Sequence, residues 1–275
     1  MNYFSKDIVV NTIGKSNYVA SLQAYIPDNT PEVDPDRLHP AVLILPGGGY
    51  EFTSDRENEP IALKFASEGI CAFTLKYSCA PARFPQALCE ALTSIKFIRE
   101  NAENFFIDKN NISVCGFSAG GHLAASVGAF WNKPFVAEYI GEFGTSIKPD
   151  KLILCYPVIK NGAFSHGGSF QNLLGEDYQS EEMLELTSLE KQISSDTPPS
   201  FIWHTYEDGC VPVQNSLVFA SELVAHDIPV ELHIYRRGGH GLSLGNYVVD
   251  RNMAVGYKHD SSDWIAKAIR FIYDQ

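Results

Sequence analysis

The sequence contains no long hydrophobic run, no paired cysteines and no excess of basic residues. No apolar stretch approaches the length of a membrane-spanning helix or of a signal-peptide core. Six cysteines are scattered singly, without C-x-x-C or zinc-ribbon spacing, which favours buried free thiols over disulfides. With 21 basic and 33 acidic residues the net charge is −12, which argues against a broad phosphate-binding surface. These absences predict a cytoplasmic protein that binds neither nucleic acid nor a membrane and holds no metal.

What the sequence does contain is an alternation of short apolar runs and longer amphipathic segments. Residues 41–45 form a continuous apolar run, typical of a strand buried on both faces of a parallel sheet. In residues 85–101 apolar positions recur at spacings of three and four, which indicates a helix packed on the sheet. The predicted strands cover 18–26, 41–45, 70–75, 112–115, 152–156, 200–205 and 230–235, and the predicted helices cover 61–67, 85–101, the segment after 120, 213–225 and 262–272. The predicted fold class is therefore α/β, with a mostly parallel central sheet and helices on both faces.

The alternation also bears on domain organisation. By length alone, 275 residues fit one or two domains, but no linker-like change of composition divides the chain. Only residues 161–198 interrupt the pattern, with a Gly/Ser-rich loop and then an acidic, helical piece around 181–190. We predict a single domain over residues 1–275. Residues 161–198, here called the excursion, either fold over the functional site or lie on the surface away from it.

The sequence Gly116-x-Ser118-x-Gly120 lies between a predicted strand and a predicted helix, the context of a nucleophile elbow. Taken alone, the motif fits a Gly/Ser loop equally well. Its partners decide between the two, because a histidine base and a carboxylate must follow the serine in the order Ser, Asp/Glu, His. His240 and Asp208 follow two later strands and so belong to the same edge of the sheet as Ser118. Ser118, Asp208 and His240 are therefore the candidate catalytic residues, and the alternative for His240 is a surface-loop histidine.

Two further parts of this site are open to choice. The catalytic acid is either Glu207 or Asp208, which are adjacent in the chain. Because only one of two successive residues easily faces the histidine, one must be chosen, and Asp208 is preferred. For the oxyanion hole, the glycines after residue 46 allow backbone amides to converge, and Gly48, Gly49 and Ala119 are the candidate donors. The alternative, a phosphate-cradling loop, lacks the Lys-Ser/Thr that follows a P-loop and forms no G-x-G-x-x-G.

Taken together, these stretches resemble the α/β-hydrolase superfamily, in the esterase/lipase branch with acetyl esterases, acetylxylan-esterase-like enzymes and hormone-sensitive-lipase relatives. The resemblance covers nearly the whole chain, and the matching stretches are 46–50, 54–60, 75–81, 116–124, 204–212 and 239–241. Pro46 stands where lipase-like relatives carry the first residue of His-Gly-Gly-Gly, which favours the carbohydrate-esterase-like group. With only about 40 residues before the first central strand, neither an N-terminal cap domain nor a lipid-binding lid is expected.

The triad and oxyanion loop predict a serine esterase that forms an acyl-enzyme on Ser118. The resemblance implies a short acyl group, acetyl above all, carried on a sugar or xylo-oligosaccharide. The expected partner is thus a small-molecule ester substrate such as an acetylated sugar, with no cofactor; the oligomeric state is not predicted. Two alternatives keep the fold: an arylformamidase-like or peptidase-like amide hydrolase using the same triad, and an inactive hydrolase fold serving as a binding module.

Other side chains near these motifs are weighed as substrate contacts. Tyr50, Arg56 and Phe170 are the candidates. Arg56 and Glu57 either form a structural ion pair or touch the substrate, and the ion pair is preferred. His122 lies one helical turn after Ser118, and packing or bonding within the helix is preferred for it over catalysis.

Overall fold

The structure is a computed structural model that describes residues 1–10, 18–141 and 144–274. Strands β1–β8 comprise Asn2–Val9, Val19–Ile26, His39–Leu45, Cys71–Lys76, Ile107–Phe117, Lys151–Cys155, Ser200–Thr205 and Val230–Tyr235. Helices α1–α8 comprise Glu59–Ala66, Gln86–Glu100, Ala119–Phe130, Pro134–Ile140, Gly167–Leu174, Glu181–Leu186, Gln214–Ala225 and Trp264–Tyr273. Short 3₁₀ turns cover Asp55–Glu57, Thr145–Ile147, Gly175–Gln179, Leu189–Lys191 and Asp260–Asp263.

The eight strands form one sheet in the order β1-β2-β4-β3-β5-β6-β7-β8. β2 runs antiparallel to both β1 and β4, and every other neighbouring pair is parallel. Parallel neighbours need crossover connections, and the helices supply them. The predicted α/β fold with a mostly parallel sheet is confirmed.

The buried strand β3 shows how the core is built on both sides of this sheet. All seven of its residues are buried. Ala41, Leu43 and Leu45 face a core shared with α2, α3 and α7, whereas Val42 and Ile44 face one shared with α1 and α8. This period of two is the geometry of a strand, so an uninterrupted apolar run serves both faces. None of the helices in the described ranges has both the length and the hydrophobicity to cross a membrane.

Four cysteines contribute to these cores as small apolar side chains. Cys71 and Cys89 are buried on one side of the sheet, and Cys115 and Cys155 on the other. Burial raises the pKa of the Cys71 and Cys89 thiols to about 12, which disfavours their thiolates. These four match the predicted buried thiols, whereas Cys79 is half-buried and Cys210 is exposed.

All seven predicted strands are present, and 200–205 and 230–235 match to the residue. The sequence did not predict β1, an edge strand paired with β2, because most of its side chains are exposed, and apolar and polar residues do not alternate along it. It also missed the short helix α4 and, within the excursion, helix α5. Helix α5 begins with Gly167 and Gly168, so its composition indicates a loop, but burial of Phe170, Leu173 and Leu174 holds it as a helix. The expected helical piece around 181–190 is present as α6 and a following turn.

Candidate active site

Ser118 is the single residue between the end of β5 and the start of α3. Its φ of 54° and ψ of −118° form a backbone conformation that non-glycine residues rarely adopt. Hydrogen bonds hold this turn: the Ser118 amide donates to the Cys155 carbonyl at 3.0 Å, and the Val158 amide donates to the Ser118 carbonyl at 3.0 Å. The strained turn places the serine hydroxyl at the carboxyl edge of the sheet, as a nucleophile elbow does.

The two glycines of the elbow are required by close backbone approach. A Cβ on Gly116 would lie 2.1 Å from the carbonyl oxygen of Gly120, and a Cβ on Gly120 would lie 2.1 Å from that of Leu45. No side chain fits at such distances. The Gly-x-Ser-x-Gly pattern is therefore the consequence of strand β5, helix α3 and strand β3 packing tightly at one point.

The structure brings the three candidate catalytic residues into one hydrogen-bonded chain. His240 Nε2 lies 2.7 Å from Ser118 Oγ, and His240 Nδ1 lies 2.7 Å from Asp208 Oδ2. Because the carboxylate only accepts, Nδ1 carries the proton, and Nε2 is free to accept from the serine hydroxyl. Asp208 follows β7 and His240 follows β8, so the parallel sheet delivers both loops to the edge where Ser118 lies. This is the arrangement of nucleophile, base and orienting acid.

Asp208 occupies a wholly buried, fully hydrogen-bonded position. Its Oδ1 accepts the amides of Cys210 and Val211 at 3.0 and 2.9 Å. Burial alone would raise the pKa of this carboxyl, but hydrogen bonds from His204 and His240 outweigh it and hold the pKa well below its usual range. The carboxylate is thus ionised at neutral pH and able to stabilise a positively charged His240.

His204 is a second imidazole on the same carboxylate, and the sequence reading did not single it out. It is wholly buried in β7, and its Nε2 donates to the Val211 carbonyl at 2.9 Å while lying 3.3 Å from Asp208 Oδ2. Its Nδ1 is 2.8 Å from the Ser216 hydroxyl, which fixes the ring from the other side. Its position four residues before Asp208 was the only sequence signal.

Residues 46–50, here called the oxyanion loop, hold two of the three candidate donors. Gly48 and Gly49 have φ values of 131° and 66°, which glycine adopts without strain. Within the described chain, the amides of Gly48, Gly49 and Ala119 donate to no protein acceptor. Gly47 differs, because its amide donates to Glu57 Oε2 at 2.7 Å. Gly48 and Gly49 line the cleft together with Ser118, so their free amides are available to an oxyanion there.

Glu57 is a buried carboxylate that ties this loop to the wall beside the histidine. Besides the Gly47 amide it accepts the Tyr156 hydroxyl at 2.6 Å, and the ring of Tyr156 meets His240 edge-on at 5.1 Å. Burial raises the pKa of Glu57, opposed by the hydrogen bonds from Tyr156 and Gly47 and by nearby His240. From the sequence, Glu57 was expected to pair with Arg56 or to touch the substrate, and its bonds to Gly47 and Tyr156 were not predicted.

Of the three candidate substrate contacts, only Arg56 lies at the cleft. Its guanidinium donates to the carbonyls of Val249 at 2.9 Å and Gly241 at 2.7 Å, so it holds the loop after His240 in place. These two hydrogen bonds take the place of the expected ion pair with Glu57. Tyr50 and Phe170 are buried behind the cleft, where they line a void too small to hold a water molecule. Neither ring lines the cleft.

His122 binds within that layer. Its Nε2 donates to the Thr187 carbonyl at 2.8 Å, and its Nδ1 accepts the Tyr50 hydroxyl at 2.9 Å. Burial lowers the pKa of this imidazole to about 4, so the ring is neutral. It has the packing role expected from the sequence and stands behind Ser118 without entering the triad.

The cleft above Ser118 has a volume of about 300 Å³. Its walls include the oxyanion loop, the exposed ring of Phe52, Cys210 and, from the excursion, His166. The Asn172 side chain of the excursion also donates to the Gly49 carbonyl at 3.0 Å. The excursion therefore packs against the oxyanion loop and forms part of the cleft.

Across the described ranges, no cluster of His, Cys, Asp and Glu could hold a metal ion.

Comparison with known proteins identifies the family of the chain. A family profile described as BD-FAE matches residues 22–223. The chain is 36% identical over 238 residues to an endo-1,4-beta-xylanase B of Butyrivibrio fibrisolvens, covering 83% of this chain and 35% of that protein. It is 28% identical over 212 residues to an acetylxylan esterase of Xylanibacter ruminicola, covering 75% of this chain and 42% of the relative. Thus it spans less than half the length of either curated relative.

A solved structure matches over a larger share of its length. The crystal structure of an acetyl ester-xyloside bifunctional hydrolase from Caldicellulosiruptor lactoaceticus superposes with a TM-score of 0.78 at 35% identity, covering 92% of this chain and 87% of that one. This superposition agrees with the mostly parallel sheet described above. The chain belongs to the BD-FAE family and is an esterase-like α/β hydrolase.

Proposed function

We propose that this protein is a serine esterase that hydrolyses carboxylic esters through an acyl-enzyme on Ser118. The observation that carries the proposal is the unbroken chain from Ser118 through His240 to Asp208, with hydrogen bonds of 2.7 Å, beside amides that have no protein acceptor. A binding module has no need for a strained serine joined to a base and a buried acid.

The first half of the reaction forms the acyl-enzyme. Ser118 Oγ attacks the ester carbonyl carbon while its proton passes to His240 Nε2, and the ionised Asp208 stabilises the imidazolium. The carbonyl oxygen becomes an oxyanion held by the amides of Gly48, Gly49 and Ala119, each donor contributing about 3 kcal/mol to the lowering of the barrier. The carbon–oxygen bond to the alcohol then breaks, and the alcohol oxygen takes the proton from His240.

The second half returns the enzyme to its starting state. A water molecule gives a proton to His240 Nε2 as its oxygen attacks the acyl carbon, and the same amides hold the second oxyanion. The bond to Ser118 Oγ breaks, the serine recovers its proton from His240, and the carboxylic acid leaves.

The substrate we propose is a short-chain ester, most specifically an acetylated sugar or xylo-oligosaccharide. Tyr50 and Phe170 fill the space behind the oxyanion loop and leave no tunnel for a long acyl chain in that direction. Relatives named as an acetylxylan esterase and as an acetyl ester-xyloside hydrolase support the carbohydrate part of the proposal.

The decisive experiment replaces the nucleophile and compares it with a nearby serine. Ser118→Ala is expected to lower the turnover of 4-nitrophenyl acetate by about 10⁴-fold or more, whereas Ser54→Ala, also in the cleft, stays close to wild type. A fluorophosphonate is expected to label the wild type and Ser54→Ala but not Ser118→Ala. Unchanged turnover in Ser118→Ala would overturn the mechanism, and a wild type that is neither active nor labelled would indicate a binding module.

A substrate panel then tests the bond and the acyl group. It contains acetylated xylo-oligosaccharides, 4-nitrophenyl esters of increasing chain length and N-formylkynurenine. We expect the highest kcat/KM among the acetates. Preferred cleavage of the formamide would instead indicate the amide hydrolase that uses the same triad.

A further inference from the structure

His166 brings a side chain of the excursion into the cleft. The residue immediately precedes helix α5 and lines the cleft together with Ser118 and His240. Its ring is half-buried and lies near enough to His240 and Asp208 for their charges to change its pKa. The catalytic steps above make no use of it.

The hydrogen bond on one side of the ring determines where its proton lies. His166 Nδ1 is 2.8 Å from the hydroxyl of Ser169, which is buried and has no other hydrogen-bond partner among the described residues. A buried hydroxyl donates where it can, so Ser169 donates to Nδ1 and the ring proton sits on Nε2. No acceptor within the described chain takes that Nε2 proton. The cleft wall therefore contains one hydrogen-bond donor that the protein leaves unused.

The surroundings also favour the uncharged form of this imidazole. Burial lowers the pKa of His166, and the charge of His240 lowers it further, opposed by the carboxylate of Asp208. In the neutral ring the proton on Nε2 is available for donation.

The proton path of the proposed esterase indicates which part of the substrate lies near this donor. The leaving alcohol oxygen must reach His240 Nε2 to take its proton, so the alcohol portion extends from Ser118 on the His240 side. His166 is part of that wall, and the exposed ring of Phe52 gives the cleft an apolar surface suited to the C–H face of a sugar.

We propose that His166 determines specificity for the alcohol portion of the ester, its Nε2 donating to a hydroxyl or ring oxygen of a sugar or other polyol. This inference rests on the proposed esterase function. An alcohol without such an oxygen leaves the donor unpaired once water is excluded, and a site built around a hydrogen bond discriminates against ligands that lack it.

The test compares two acetates in a matched set of variants. His166→Phe keeps a ring but removes the donor, and His166→Gln restores an N–H. For an acetylated xyloside we expect His166→Phe to lower kcat/KM by roughly tenfold or more, and His166→Gln to recover part of that loss. For 4-nitrophenyl acetate, whose alcohol portion has no hydroxyl group, kcat/KM stays within about twofold of wild type.

The two kcat/KM values together separate the possible outcomes. Equal losses on both substrates would mean that His166 only supports the triad, and no loss on either substrate would mean that it does not touch the alcohol; either result overturns the inference while leaving the esterase intact. A wild type inactive on both acetates would overturn the esterase proposal itself. Ser169→Ala gives a second measurement if His166→Phe does not fold: freeing Nδ1 lets the proton move between nitrogens, so the preference for the xyloside should fall without a loss on 4-nitrophenyl acetate.

Discussion

Asp208 and Glu207 are neighbours in the chain, yet their carboxylates lie in opposite environments. The Asp208 side chain is wholly buried and bonded to His240, whereas Glu207 is exposed and accepts the Gly238 amide at 3.2 Å. Successive residues after β7 point in different directions, so only one of the two reaches the histidine. The structure favours Asp208, the residue preferred from the sequence.

This pair allows a matched test of the acid. In Asp208→Asn the amide group can no longer hold the His240 tautomer with its proton on Nδ1, so kcat should fall by about 10⁴-fold. Glu207→Gln is the same chemical change one residue away and should keep kcat within about twofold of wild type. Steady-state kinetics on 4-nitrophenyl acetate checks both. A large loss in Glu207→Gln with an active Asp208→Asn would reverse the assignment.

His122 should make the stability of the protein depend on pH. Its pKa is lowered from 6.5 to about 4 by burial, so the unfolded chain binds a proton here below pH 6.5 and the folded chain does not until about pH 4. The folded state is therefore unaffected at pH 7.5 and loses stability as the pH falls through this window. By pH 4.5 the loss from this residue is about 2.5 kcal/mol.

The measurement is urea unfolding at pH 7.5 and pH 4.5. His122→Gln is expected to be less stable than wild type at pH 7.5, because it disturbs bonds to Tyr50 and Thr187, but to lose less on acidification. His226→Gln changes an exposed histidine and should keep the pH dependence of the wild type. Equal losses in wild type and His122→Gln would contradict the neutral buried ring.

The elements that could be predicted from the sequence are those marked by local patterns. Ser118 lies between glycines that close packing requires, and His240 lies between Gly239 and Gly241 after a strand. A parallel sheet brings the ends of separate strands to one edge, so knowing the strands was enough to place these residues together. Local pattern and topology together predicted the triad arrangement.

The remainder depends on contacts that no local pattern records. Glu57 and Tyr156 are 99 residues apart, and their hydrogen bond joins the 3₁₀ turn Asp55–Glu57 to the residue that follows β6. Likewise, Tyr50 is buried although it directly follows the cleft-lining glycines, because its ring turns inward to meet His122. Proximity in sequence to a cleft therefore did not predict contact with it.

Glu57 should matter for catalysis although it lies behind the cleft. Both of its oxygens accept hydrogen bonds, one from the Gly47 amide and one from the Tyr156 hydroxyl. In Glu57→Gln the side-chain NH₂ group would face one of these donors, and the loop would be held less well. We expect kcat to fall by roughly 10- to 100-fold, with little change in KM. Glu59→Gln, an exposed neighbour at the start of α1, should stay near wild type. Full activity of Glu57→Gln would mean that the oxyanion loop needs no such support.

Phe170 should limit the length of the acyl group. Its ring closes the void behind the oxyanion loop together with Tyr50, Val158 and Leu173. Phe170→Ala removes that ring and should open space for additional methylene groups, so kcat/KM for a hexanoate relative to an acetate is expected to rise by roughly tenfold.

The control for this prediction must separate a new pocket from a weakened fold. Phe170→Ala is expected to cost about 3–5 kcal/mol of stability, and Leu174→Ala removes another buried side chain of α5 that does not line the void. Leu174→Ala should therefore lower stability while keeping the wild-type preference for acetate. A rise in hexanoate turnover confined to Phe170→Ala would place the acyl chain behind the oxyanion loop. If the preference is the same in both variants, the acyl chain lies in the open cleft and not behind the oxyanion loop.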